Sequence, residues 1–221
     1  MHSTSPSLGI AVMDDGNLMG SRVLAPGKSH LENLAPLIRE FLSESALAPK
    51  DLDAFGVAIG PGSFSGIRVG MATVNGMALA LGRPVVGVSS LEILAWLGLE
   101  EGRSGIAVIR AGRGDLYAAW YKNEGGRTTA IRVPALMPGT RLREIASERS
   151  PALVICVEPA LRDSPVADSL PVIVAEHSAS ACGFLAWTRL KDGDFDSVHS
   201  LTPLYVRRSD AEVNRSRQTH R

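Results

Sequence analysis

The stretch from Phe55 to Val88 limits the possible folds more than any other part of this chain. Phe55-Gly-Val-Ala-Ile59 reads as a short buried strand, Gly60-Pro-Gly-Ser-Phe-Ser-Gly66 as a tight turn, and residues 65–81 as a helix. Gly82-Arg83-Pro84 ends that helix, because glycine accepts the left-handed conformation after a helix and proline cannot continue one. Val85–Val88 is a second buried strand. Strand, helix and strand in succession define an α/β fold, in which helices cover a sheet. Glycine, at 22 of 221 residues, is above its usual share of roughly 7%, and part of the excess lies between Gly60 and Gly87.

The flanking sequence extends the pattern. Leu8–Met13 is an apolar strand that ends in Asp14-Asp15-Gly16-Asn17, a hairpin turn, and Asn17–Leu24 returns as its partner. Ser29 with Glu32 forms a capping box. It opens a helix whose apolar stripe is Leu31, Leu34, Ala35, Ile38, Phe41 and Leu42, with Pro36 expected to kink it. Ser89-Ser90-Leu91-Glu92 is a second box, opening a helix to about Leu97. The Gly98–Gly105 stretch is polar and glycine-rich, and a subdomain boundary is placed there. Beyond it the reading is strands at Ile106–Ile109, Leu116–Trp120 and Thr128–Val133, a helix at Arg141–Ser147, strands at Leu153–Val157 and Val172–Val174, and a helix at Ala179–Leu190. The expected division is residues 1–100, residues 101–206, and a basic tail at 207–221 with five arginines and two acids.

Composition removes several classes of function. Lys and Arg total 23 against 23 Asp and Glu, so the chain lacks the basic excess of a protein that grips nucleic acid by itself. No apolar run approaches the roughly 18–20 residues of a membrane span, and no membrane partner is expected. The start, Met-His-Ser-Thr-Ser-Pro, has neither the basic nor the apolar region of a signal peptide. Cys156 and Cys182 form no CxxC pair and read as small core residues in a reducing, cytoplasmic setting.

The motifs that could carry chemistry are few. Gly60-x-Gly62-x-x-x-Gly66 stands between a strand and a helix, where free amides attract anions, which makes Gly60, Gly62, Ser63 and Ser65 a candidate anion-binding turn. Its spacing misses the dinucleotide fingerprint by one residue, and it lacks the Gly-Lys-Ser/Thr ending of a P-loop. The plainer account is a tight turn into a closely packed helix. Along that helix, Ile67, Met71, Val74, Ala78 and Leu81 make a bulky apolar face suited to a sheet. Gly66, Gly70, Thr73 and Met77 make another face, with Gly76 and Ala80 nearby. Interior glycines each cost about 1 kcal/mol of helix propensity, and close approach of a second helix would offset that cost. That helix is either the 31–42 helix of the same chain or one from another subunit. The histidines His2, His30, His177, His199 and His220 make no metal-binding spacing, and no GxSxG elbow or nucleophile–base pair is found. Arg113-Gly114-Asp115 reads as a turn between two strands.

The block from Ile59 to Thr73, IGPGSFSGIRVGMAT, continuing through Gly76 to Leu81-Gly-Arg-Pro and Gly87-Val-Ser-Ser-Leu-Glu92, resembles the signature of the TsaB (YeaZ) family. Ser29-His30-x-x-Asn33-Leu34-x-Pro36-Leu37, Arg110–Tyr117 and Pro203-Leu-Tyr-Val-Arg207 support the resemblance. It implies the actin-like (ASKHA, RNase H-like) fold with two α/β subdomains. It also implies an accessory, non-catalytic subunit of the machinery that makes N6-threonylcarbamoyladenosine in tRNA, without cofactor or metal. The implied partners are a TsaD-like catalytic subunit, a TsaE-like ATPase indirectly, tRNA only through the complex, and a second copy of the chain in isolation. Contact through the helices at about 30–42 and 65–81 makes Leu31, Leu34, Ile38, Gly66, Gly70, Thr73 and Met77 the expected partner-binding residues.

Two departures stand out. Family members usually open with an apolar strand ending in Asp-Thr-Ser/Thr. Here His2-Ser3-Thr4 takes the place of its last residues, so the first strand is cut short. That strand is expected to be central, and its loss leaves backbone groups on both neighbours without partners unless the natural start lies upstream or the gap is bridged. Arg110 stands where an acid is usual. Two other functions compete. An actin-like ATPase or kinase would bind phosphate at Gly60–Gly66, but it lacks the first-strand Asp and any other acid placed for Mg²⁺. A peptidase would need a nucleophile–base pair or a metal motif.

Overall fold

A computed structural model describes residues 1–25, 30–142, 144, 153–163, 167–168, 170–176 and 178–207. Near the N-terminus, β1 (Leu8–Asp14) and β2 (Asn17–Leu24) form an antiparallel hairpin. Its two turn residues, Asp15 and Gly16, have φ of 44° and 81°, the left-handed pair that matches strand twist in a two-residue loop. Helix α1 (His30–Glu44) carries Pro36 on its exposed side. The Ser29 half of its expected capping box lies outside the described residues. Next, β3 (Phe55–Gly60) and β4 (Val85–Ser89) pair in parallel, connected by α2 (Phe64–Leu81). Ser63 caps α2, its hydroxyl accepting the Gly66 N–H at 3.2 Å, and Gly82 ends it with φ 64°. The 18 residues of α2 are apolar enough on average to cross a bilayer, which corrects the expectation that no such stretch exists. In the fold this helix lies on the sheet, with Ile67, Met71, Val74 and Ala78 buried against Phe55, Val57 and Val85.

The second sheet has the order β7-β6-β5-β8-β9, formed by β5 (Ser104–Gly112), β6 (Asp115–Glu124), β7 (Arg127–Pro138), β8 (Val154–Cys156) and β9 (Val172–Val174). Arg113 and Gly114, φ 56° and 84°, make the turn from β5 to β6, so the RGD triplet is structural. The predicted helix at 141–147 falls largely outside the described residues. Between the two sheets runs α3 (Ser90–Gly98). Leu91, Leu94 and Ala95 pack with Ala107, Ala119, Tyr121 and Ile155 of the second sheet, while Ile93 faces Ala58, Val86 and Val88 of the first.

The C-terminal part corrects the expected division at residues 101–206. Helix α4 (Ala179–Lys191) returns to the first sheet, where Ala181, Cys182, Leu185 and Ala186 cover Ala58, Val86 and Val88. The chain then bridges β4 at Val85–Asp196, buries Leu201 with Phe55 and Val85, and donates the Leu204 N–H to Ile59 O at 2.8 Å. The first lobe is therefore built from both ends of the chain.

Residues Met1–Thr4 run through the middle of that lobe. His2 exchanges both ladder hydrogen bonds with Gly9 of β1, at 2.8 and 2.7 Å. The Met1 nitrogen donates to Gly56 O at 2.7 Å, and Met1 O accepts the Ala58 N–H at 3.0 Å, the pattern of a parallel ladder to β3. Met1 and His2 thus bridge the hairpin and the parallel pair. This short segment occupies the place expected for the central strand.

Candidate partner-docking site

Four buried polar residues open the chain, and their hydrogen bonds explain the glycine turn. Ser63 N–H donates to Thr4 O at 2.7 Å, and Ser3 Oγ donates to Gly66 O at 2.8 Å. The Thr4 hydroxyl is hydrogen-bonded to His2 Nε2 and to Ser90 Oγ, both at 2.8 Å. A Cβ on Gly62 would overlap Thr4 O, one on Gly66 would overlap Ser3 O, and one on Gly70 would overlap Ser3 Oγ. Of the candidate anion-binding residues, Gly60 and Gly62 form the bend and Ser63 N–H is engaged by Thr4 O. The Ser65 hydroxyl lies exposed, 3.4 Å from that of Ser63. The turn seats the N-terminal segment.

The same contacts correct the predicted partner-binding set. Gly66 and Gly70 are buried against Ser3 rather than turned to the surface. Leu34 is buried with Leu8, Ile10 and Phe41, and Ile38 is half-buried against the same cluster. Met77 is half-buried beside Val74 and Ala78. Thr73 is half-buried too, and its hydroxyl donates back to Val69 O at 2.9 Å. The Leu31 side chain lies outside what is described.

What α2 turns outward is Phe64, Arg68, Ala72, Gly76, Leu79 and Ala80. Leu79 is 64% exposed, Gly76 has open space where a Cβ would stand, and only 33% of this apolar helix is buried. Beside it, α1 exposes Ala35, Pro36, Arg39 and Glu40. On α2 the outward middle and end are apolar and mostly small, Ala72, Gly76, Leu79 and Ala80, while Arg39 and Glu40 of α1 and Arg68 of α2 bring charge to its borders. At the start of α2, the Arg68 guanidinium lies 3.8 Å from the Phe64 ring centroid and its Nε donates to the Tyr205 hydroxyl at 3.1 Å. Helical spacing alone singled out the small residues of α2, but the face was read one column away from the exposed one. Leu79, an apolar residue on neither predicted face, was the available signal.

Elsewhere the ionisable groups tie elements together. Arg189 of α4 donates to Gly87 O at 2.6 Å and pairs with Asp194, while Asp196 accepts the Gly87 N–H at 2.9 Å. Burial raises the Glu92 carboxyl above the usual range, opposed by the nearby Arg189 charge and by the Ser89 N–H that it accepts. Arg110, the second departure, is exposed, and its N–H donates to the Glu158 carboxylate at 3.4 Å; burial raises the Glu158 pKa as well. Burial also pushes the Cys156 thiol up to about 11, which suits a core residue. Among the described residues, no three His, Cys, Asp or Glu side chains gather as a metal-holding group.

Comparison with known proteins agrees with this architecture. The family described as "TsaD: tRNA N6-adenosine threonylcarbamoyltransferase" matches residues 25–153, more than half of the chain. An uncharacterized protein of Mycobacterium tuberculosis is 34% identical over 209 residues, covering 92% of this chain and 87% of the relative. The tRNA threonylcarbamoyladenosine biosynthesis protein TsaB of Bacillus subtilis is 28% identical over 216 residues, covering 94% and 92%. The solved structure of YeaZ from Pseudomonas aeruginosa superposes with a TM-score of 0.78 at 23% identity, covering 92% of this chain and 96% of that one, a likeness of fold. These matches define an α/β protein of the actin-like, TsaD-type class. Within that class the chain belongs to the TsaB (YeaZ) family.

Proposed function

We propose that this chain serves the synthesis of threonylcarbamoyladenosine in tRNA as a non-catalytic activating subunit, docking a TsaD-like transferase through the outer faces of α1 and α2. The observation that carries the reading is α2 itself. An apolar helix of 18 residues keeps an exposed outer face and presents small residues there, Ala72, Gly76 and Ala80, around Leu79. A contiguous apolar surface of this kind marks an interface, and small residues let a partner helix approach closely. The names borne by the Bacillus subtilis and Escherichia coli relatives support the pathway. The family match makes a protein of related fold a reasonable occupant of this face, because the match covers α1 and α2. The same face pairs with a second copy when the transferase is absent. The ATPase and the tRNA engage the complex rather than this chain, in keeping with its zero net charge, and the work takes place in the cytoplasm. A phosphate-binding reading of the Gly60–Gly66 turn has less support, because Thr4 O engages the Ser63 amide.

The test is native mass of the chain alone and mixed with the TsaD-like subunit of its own organism. A heterodimer is expected. Leu79→Arg should weaken it at least tenfold, while moving little the melting temperature of the chain at concentrations where it is monomeric, since Leu79 is exposed in the single chain. A folded Leu79→Arg/Gly76→Arg variant that binds normally would refute the face.

A further inference from the structure

At the head of α2 three exposed side chains, Phe64, Arg68 and Tyr205, hold one another in place. The Tyr205 ring lies against Phe64, with centroids 5.2 Å apart and planes 31° from parallel. The Arg68 guanidinium sits over the Phe64 ring, and its Nε donates to the Tyr205 hydroxyl. Tyr205 is itself tied down on both sides along the chain. Leu204 N–H donates to Ile59 O at 2.8 Å, and the Arg207 guanidinium binds Ala111 O and the Asp115 carboxylate of the second lobe. A free arginine side chain loses rotamer entropy when a partner orders it; here the chain has already ordered Arg68. What Arg68 lacks is a counter-charge. Arg22, Arg83, Arg103, Arg127, Arg189 and Arg207 each pair with an acid. Among the described residues no carboxylate lies within ion-pair distance of Arg68, its two terminal nitrogens have no acceptor, and the first turn of α2 holds no acid.

We propose that Arg68 is the charged anchor of the docking face, and that it receives one Asp or Glu carboxylate from the transferase subunit. Resting on the docking reading of α1 and α2, this assignment names the chemistry of the partner at one point of that face. With Nε given to Tyr205, the guanidinium keeps its Nη1–Nη2 edge, whose parallel N–H donors match the two oxygens of a carboxylate. Ala72 and Leu79 continue the same exposed face along α2, so the residues beside that carboxylate on the partner are apolar. Closing such surroundings over the pair removes water from it, and arginines so placed are where binding free energy concentrates. A nucleic acid suits the site less well. The Phe64 ring is already engaged by Arg68 and Tyr205 rather than open to a base, and the face beyond Arg68 is apolar rather than basic.

The test is calorimetric binding of the parent, Arg68→Gln and Arg68→Lys chains to the TsaD-like subunit of the same organism, at about 50 and about 400 mM salt. Arg68→Gln should weaken binding roughly tenfold or more at low salt, and should flatten the salt dependence shown by the parent. Arg68→Lys keeps the charge without the planar fork, so it should keep the salt dependence yet bind roughly threefold or more weakly than the parent. Both variants should melt close to the parent at monomeric concentrations, because Arg68 is exposed. Unchanged binding by Arg68→Gln overturns the anchor. So does a loss that is equal at both salt concentrations, which would mean that the side chain acts by packing. Binding of tRNA to the chain alone that Arg68→Gln abolishes overturns it as well, and would make a phosphate the group on Arg68. The two assignments fail in different ways. If the parent forms no complex, the docking face falls and the anchor with it. If a complex forms and Leu79→Arg breaks it while Arg68→Gln does not, only the anchor falls.

Discussion

Glycines in this chain divide by what surrounds them. Gly62 has φ 157°, and a Cβ there would strike the Thr4 carbonyl, a backbone atom that cannot swing aside. Gly62→Ala should therefore destabilise the chain by about 1–3 kcal/mol in urea unfolding, the range for forced overpacking. Gly76 sits inside α2 with nothing near its missing Cβ. Gly76→Ala should stabilise the monomeric chain by about 0.5–1 kcal/mol, because alanine is the better helix former. A gain in urea stability at Gly76 and a loss at Gly62 would separate a glycine kept for an outer surface from one kept for the fold. Gly70 belongs with Gly62, since its neighbour is Ser3, and a bulky residue there would report on folding rather than docking.

Among the elements, α3 carries a buried acid whose ionisation is coupled to folding. Its capping box holds Glu92 at the junction of the sheets, where burial raises the carboxyl pKa above 4.5. A raised acid favours the protonated form in the folded state. Its ionisation therefore weakens folding as pH rises from about 4.5 through the folded value, and stability returns as pH falls back through that window. Glu92→Gln keeps an acceptor for the Ser89 N–H without the charge. It should be more stable than the parent at pH 7, and the difference should vanish below about pH 4.5 in urea titrations at fixed temperature. An unchanged difference across that range would show that burial of Glu92 is not what the carboxylate opposes. The α3 cap was visible as Ser89-x-x-Glu92, because a cap depends on residues three apart. What the α3 box sits against was not visible, because that depends on residues 107, 119 and 121 arriving from the second sheet.

At the scale of the molecule, the two lobes are not two halves of the sequence. Covering one face of the first sheet takes α4, and its edge is tied by Asp196 and by Leu204. A fragment of residues 1–100 should consequently fail to fold alone, because Ala58, Val86 and Val88 would lose the helix that buries them. Far-UV circular dichroism with a thermal scan checks this: no cooperative transition is expected, and a cooperative one would mean that α4 is an accessory to the first lobe. The Arg189 contacts with Gly87, Asp194 and Asp196 add to the same clasp.

By itself the sequence determined the elements and the family. Apolar periodicity, caps and glycine or proline stops are local, and β2 and β9 lie where that reading put them, at Asn17–Leu24 and Val172–Val174. The run from Ile59 to Glu92 was specific enough to indicate the actin-like class. Only the tertiary structure decided which face of α2 is free. The side facing Ser3 and the side facing solvent are both rich in small residues, and nothing within the helix tells them apart. The packing of α4 on the first sheet was decided in the same way, because it depends on segments such as Ala58 and Ala181 that lie far apart in the chain.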